Sequence, residues 1–64
     1  MKINKGETYG AFVKRVRQTT KLTQRDFALR IGYSVSSLCA WENHRRPVPL
    51  FTQRVIDEFA KTIK

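Results

Sequence analysis

The run Ile31-Gly32-Tyr33-Ser34 restricts the fold more than any other part of the chain. Upstream of it, Phe27, Ala28 and Ile31 fall on one face of a helix. Thr23 is placed to cap that helix, with Asp26 following three residues on in a weaker form of the capping box. Gly32 ends it, because glycine accepts the left-handed backbone that a sharp helix exit requires. Only Tyr33 separates this stop from Ser34, the cap of a further helix that reaches to about Asn43. Two short helices joined so tightly cross steeply, at about 90–120°. Phe27, Ile31, Tyr33, Leu38 and Trp41 then fill the wedge between them, and a large side chain at Ala28 would force them apart. Val35, Ser36, Ser37, Cys39 and Ala40 are left on the other side of the second helix.

The flanking segments read as supports. Tyr9, Phe12, Val13, Val16 and Thr20 form a helical stripe, which predicts a first helix from about Thr8 to Thr19. Lys14, Arg15, Arg17 and Gln18 lie largely off that stripe. Lys21 and Leu22 form the connection to Thr23, with Leu22 turned inward. After Asn43, the residues His44, Arg45 and Arg46 lead into Pro47-Val48-Pro49, and a last helix starts near Pro49 or Leu50. Phe51, Val55, Ile56, Phe59 and Ile63 are its expected apolar stripe, and Asp57 and Glu58 sit at helix-surface spacings from Lys61 and Lys64. Residues 1–7 show no periodicity and read as a short arm. With no strand candidate, repeat or linker, the expectation is a single all-α domain over residues 1–64, a compact four-helix fold.

Charge narrows the function. Thirteen Lys and Arg stand against five Asp and Glu, a formal net charge of +8 on 64 residues. Such a field attracts polyanions: nucleic acid first, an anionic membrane surface second. Solubility alone does not call for charge so one-sided. The apolar residues are spread over four core-facing stripes, which argues against a membrane-surface peptide. No apolar run approaches the roughly 18 residues that span a bilayer. The opening MKINKGE lacks the apolar core of a signal peptide. A single cysteine, Cys39, excludes an internal disulfide framework and has no partners for a metal site. These features fit a reducing cytoplasm. One His, one Cys and few acids offer no nucleophile–base pairing, so neither an enzyme, a cofactor nor a small-molecule ligand is expected.

The central stretch resembles the helix-turn-helix of the Cro/C1 (Xre-like) family of phage and bacterial transcriptional regulators. The match rests on Leu22-Thr23-Gln24, Phe27-Ala28, Gly32, Ser34, Leu38, Trp41-Glu42-Asn43 and Arg45-Arg46-Pro47. It covers roughly residues 23–47, and the first and last helices agree in placement only. The resemblance implies a lambda-repressor-like DNA-binding fold with its helix-turn-helix at about 23–43. It also implies a structural ion pair between Arg17 and Glu42. Two departures stand out. His44 occupies a position where the family usually has Gly, and histidine is among the side chains enriched at positive φ. Many relatives carry a fifth helix that often helps dimerise, whereas this chain stops after the fourth.

The resemblance and the residue chemistry together divide the expected DNA contacts. Lys21, Thr23, Gln24, Ser34, Ser37, Asn43, Arg45 and Arg46 are the candidates for phosphate, since helix N-termini present free N–H groups and partial positive charge. Val35, Ser36, Cys39 and Ala40 are the candidates for base reading. This face lacks the Arg, Gln or Asn that make bidentate contacts to G or A. Val35 and Ala40 suit thymine methyls, so affinity should come largely from phosphates, with DNA shape and water adding specificity. Cys39 on this face reads as a small residue before a redox sensor, and Trp41 as core.

The function expected is a small Cro-like regulator of phage or mobile-element promoters, most simply a repressor. A protein-docking module or an antitoxin-type partner on the same fold is the alternative. By geometry, a weak homodimer through helix 4 would match a near-palindromic operator with half-sites about 34 Å apart.

Overall fold

The computed structural model describes residues 1–63. Four helices follow in order: α1 (Tyr9–Thr19), α2 (Gln24–Ile31), α3 (Val35–Glu42) and α4 (Leu50–Lys61). No strand occurs among the described residues. This is the all-α four-helix architecture expected from the caps and stripes.

The first three helices start on side-chain caps. Thr8 Oγ1 accepts from the Ala11 N–H at 3.2 Å, Thr23 Oγ1 from Asp26 at 3.1 Å, and Ser34 Oγ from Ser37 at 3.1 Å. Each such cap contributes about 1 kcal/mol. Gly32 ends α2 with φ +82°, and a Cβ there would meet nothing within 4 Å. Its role is therefore conformational and not one of close packing. Among the described residues, two non-glycine residues share the left-handed region, Lys21 and His44, both at φ 60°. Lys21 turns the chain between α1 and α2, and His44 follows α3.

The core contains Phe12, Val13, Val16, Phe27, Ala28, Ile31, Leu38, Trp41, Val48, Ile56 and Ala60. Leu22, Tyr33, Val55, Phe59 and Ile63 pack partly buried against it. Phe27 meets Phe59 edge-on, and Tyr33 meets Trp41 in the same way. Thr20 lies at the C-cap of α1 and is only half-buried. At Gly10, α1 lies tight against the end of α3: a Cβ there would stand 2.2 Å from the Trp41 carbonyl oxygen.

One expected core position is corrected. Phe51 is 72% exposed, and the neighbouring Thr52 is 2% exposed in its place. The Thr52 hydroxyl donates to the Tyr33 hydroxyl at 2.9 Å. That bond lets a polar residue lie in the core and fixes the rotation of α4. The buried stripe of α4 is thus Thr52, Ile56 and Ala60.

Tyr9 ties α1 to α4. Its hydroxyl donates toward the Gln53 carbonyl at 2.9 Å and the Asp57 carboxylate. Partial burial, then the bond to Asp57, pushes the phenol well above its ordinary range. A raised folded-state pKa means that this contribution is complete below about pH 10 and is lost as the pH climbs through the folded value. Tyr9→Phe should cost about 1 kcal/mol at neutral pH. In urea titrations the gap between wild type and Tyr9→Phe should narrow above about pH 10. A gap independent of pH would show that the phenol is not linked to folding.

Candidate nucleic-acid interface

α3 presents a mixed face. Its inward side buries Leu38, Trp41 and Glu42. Val35 is 41% exposed, Ser36 is exposed, and Ser37, Cys39 and Ala40 are half-buried. Exposure therefore concentrates at the N-terminal half of the helix. The Ser34 hydroxyl donates to Ser37 Oγ at 3.0 Å, while its oxygen caps the Ser37 N–H. At the other end, the Asn43 amide folds back on Cys39, 3.0 Å from its carbonyl and 3.2 Å from Sγ. Asn43 thus has a local role as the C-cap of α3.

Behind this face lies a buried ionic junction. Glu42 is only 7% exposed. Arg17 Nε donates to its Oε2 at 2.8 Å and Arg17 Nη2 to its Oε1 at 3.0 Å, a fork-shaped pair. Arg17 Nη1 donates to the Leu22 carbonyl at 3.1 Å. The hydrogen bonds to Glu42 hold the Arg17 guanidinium protonated beyond its already high range. The Gln24 amide joins the same carboxylate at 3.3 Å. One acid on α3 thereby fastens α1 and the first residue of α2.

The loop from α3 to α4 carries the free charge. Arg45 and Arg46 are exposed, and among the described residues neither is paired with a carboxylate. The Arg45 N–H donates to the Ala40 carbonyl at 2.8 Å, which holds the loop against the end of α3. His44 Nε2 and the Thr8 hydroxyl lie 2.7 Å apart, joining this loop to the start of α1. Thr8, Gly10, Trp41, Arg45, Arg46 and Pro47 border a cleft of about 380 Å³ here. Thr23 and Lys21 are exposed at the start of α2, next to Arg25, a cation the sequence motifs did not single out. By contrast, Arg15 is tied to Glu7 by a fork-shaped pair and to the Lys2 carbonyl.

The arrangement is an exposed start of α3, a basic loop at the other end of the same helix and a basic segment around the start of α2, with α1, α2 and α3 joined through Glu42. A family model described as a helix-turn-helix domain matches residues 8–63. The chain belongs to that helix-turn-helix family. The match agrees with the Cro/C1-like resemblance of residues 23–47 and extends over the supporting helices as well. No curated protein and no solved structure gives a significant match. Membership points to a regulator that binds DNA. No helix among the described residues is long and apolar enough to cross a membrane.

Sequence reasoning missed two residues that set how the helices pack. Gly10 lies in a region whose stripe gave no reason to single it out, because its importance depends on where α3 crosses. Thr52 is polar and was outweighed by Phe51. No short-range signal marked either one.

Proposed function

We propose that this protein is a sequence-specific regulator of transcription that inserts the N-terminal half of α3 into the major groove of double-stranded DNA. The observation that carries this reading is an α3 whose N-terminal end exposes Val35 and Ser36 and whose C-terminal end runs into the exposed, unpaired Arg45 and Arg46. α3 is narrow enough for a groove about 12 Å wide. Val35 and Ser36 read bases, with Cys39 and Ala40, half-buried, contributing at the groove edge. Lys21, Thr23, Ser34, Arg45 and Arg46 hold phosphates, with Gln24 and Ser37 beside them. Asn43 is the weakest of the proposed phosphate contacts, because its amide is already engaged with Cys39. Its part is to fix the end of α3 from which Arg45 departs.

In this reading the protein acts as a small repressor of phage or mobile-element type, bound to a near-palindromic operator. It needs no cofactor and performs no catalysis. Two copies would meet through the start of α4, where Leu50 is 79% and Phe51 72% exposed. Val55, Phe59 and Ile63 pack inward and are less available. The body measures 26 × 22 × 20 Å, so two copies side by side can bridge half-sites about 34 Å apart. Two side chains form a small contact, and the net charge of +8 repels a second copy. Association is therefore weak until DNA neutralises the charge.

Arg45→Ala and Ser36→Ala separate the two kinds of contact. Arg45→Ala should weaken binding to every duplex to a similar degree and lower the salt slope by about one. Ser36→Ala should change the preference at one position by about 1 kcal/mol. Gel shifts on a panel of single-base operator variants read both. The opposite pattern would overturn the assignment.

A further inference from the structure

Glu42 carries more than an ion pair. Its side chain is 3% exposed, and its carboxylate accepts three hydrogen bonds, two from Arg17 and one from Gln24. The Gln24 bond joins the α3 carboxylate to the first residue of α2. A glutamine at a helix start ordinarily samples several rotamers, and each carboxamide has two N–H donors and one acceptor. Here one N–H points inward to Glu42 Oε1 at 3.3 Å, which restricts the rotamers open to the side chain. The second N–H and the carbonyl are then directed away from Glu42. Gln24 is half-buried, between the exposed residues Thr23 and Arg25. Arg17 shares Oε1 with Gln24, so the geometry of the ion pair also fixes where that oxygen stands.

We infer that Glu42 is a positioning residue for DNA binding: it presets the Gln24 amide so that its remaining N–H meets a backbone phosphate at the start of α2. The inference rests on the DNA-binding reading above and adds a role for a buried acid that touches no DNA. A donor held in its bound rotamer loses less entropy on binding than a free one. The Arg17–Glu42 pair thereby joins fold integrity to the quality of one phosphate contact.

A double-mutant cycle on duplex affinity tests this, with helix content checked by circular dichroism. Gln24→Ala should weaken operator binding by about tenfold, the effect of one hydrogen bond to a charged phosphate. Glu42→Gln should weaken it by a similar factor. The double variant should bind no worse than Gln24→Ala alone. Losses that multiply would make Glu42 purely structural and overturn the inference. Should Glu42→Gln fail to fold, the side-chain amide signals of wild type decide by NMR. The Gln24 amide should be ordered before DNA is added, and one of its two protons should shift with DNA. A Gln24 amide averaged like a free one would overturn the inference. Wild-type binding to duplex with Gln24→Ala unchanged would sink only this inference, whereas no duplex binding by wild type would sink the DNA-binding reading itself.

Discussion

Gly10→Ala is expected to remove most of the stability of the domain. A Cβ at this position would stand 2.2 Å from the Trp41 carbonyl oxygen and 3.2 Å from its carbon. Both atoms are backbone, so no rotamer change can relieve the contact. α1 and α3 would have to separate where Gly10 faces Trp41. Alanine favours the helix by about 1 kcal/mol relative to glycine. Overpacking costs about 1–3 kcal/mol even where side chains can adjust, and here the main chain must move. The clash therefore outweighs the propensity, and a net loss of about 3 kcal/mol or more is expected. A chain of this size has only about 3–10 kcal/mol to lose. Urea unfolding followed by circular dichroism measures it. A variant as stable as wild type would show that α1 and α3 are not in contact at Gly10.

Arg17→Met should be nearly as damaging for a different reason. It leaves the buried Glu42 carboxylate without its cation, retaining only the bond from Gln24. Removing one partner of a buried pair costs about 3–5 kcal/mol. The Arg17 side chain is 15% exposed, which places the loss near the lower end. The paired change Arg17→Met with Glu42→Leu should recover most of it, because an apolar replacement of both members leaves no buried charge. Thermal unfolding of the two variants separates the effects. If the double variant is no more stable than Arg17→Met, the loss comes from packing and not from the stranded carboxylate.

These two sites show what a reader of the sequence could and could not find. The caps at Thr23 and Ser34 and the stop at Gly32 are local, so their chemistry is complete within a few residues. The positive φ of His44 was suggested by resemblance, because the family usually has glycine there. The Arg17–Glu42 pair spans 25 positions and was suggested only by resemblance to a family. Gly10 gives no local signal, since its lack of a side chain matters only where α3 crosses. The rotation of α4 is a similar case. Phe51 and Thr52 head alternative stripes, and hydrophobicity favours Phe51. The hydroxyl of Tyr33 decides for Thr52, and that contact joins the turn between α2 and α3 to the first turn of α4. At the candidate interface, the caps that open α2 and α3 were legible. The engagement of Gln24 with Glu42 and of Asn43 with Cys39 was not, because both depend on side-chain geometry.

The most direct test is an anisotropy titration of the protein against duplex DNA from the upstream region of its own gene, beside a scrambled duplex of equal length. Both are measured at two salt concentrations, about 50 and about 200 mM. The upstream duplex should bind at least about 10³-fold more tightly than the scrambled one. Lys21, Arg45 and Arg46 from each of two copies give about six neutralised phosphates, so affinity should fall by about 10³ between the two salts. Equal affinity for scrambled DNA, or binding that ignores salt, would contradict the account.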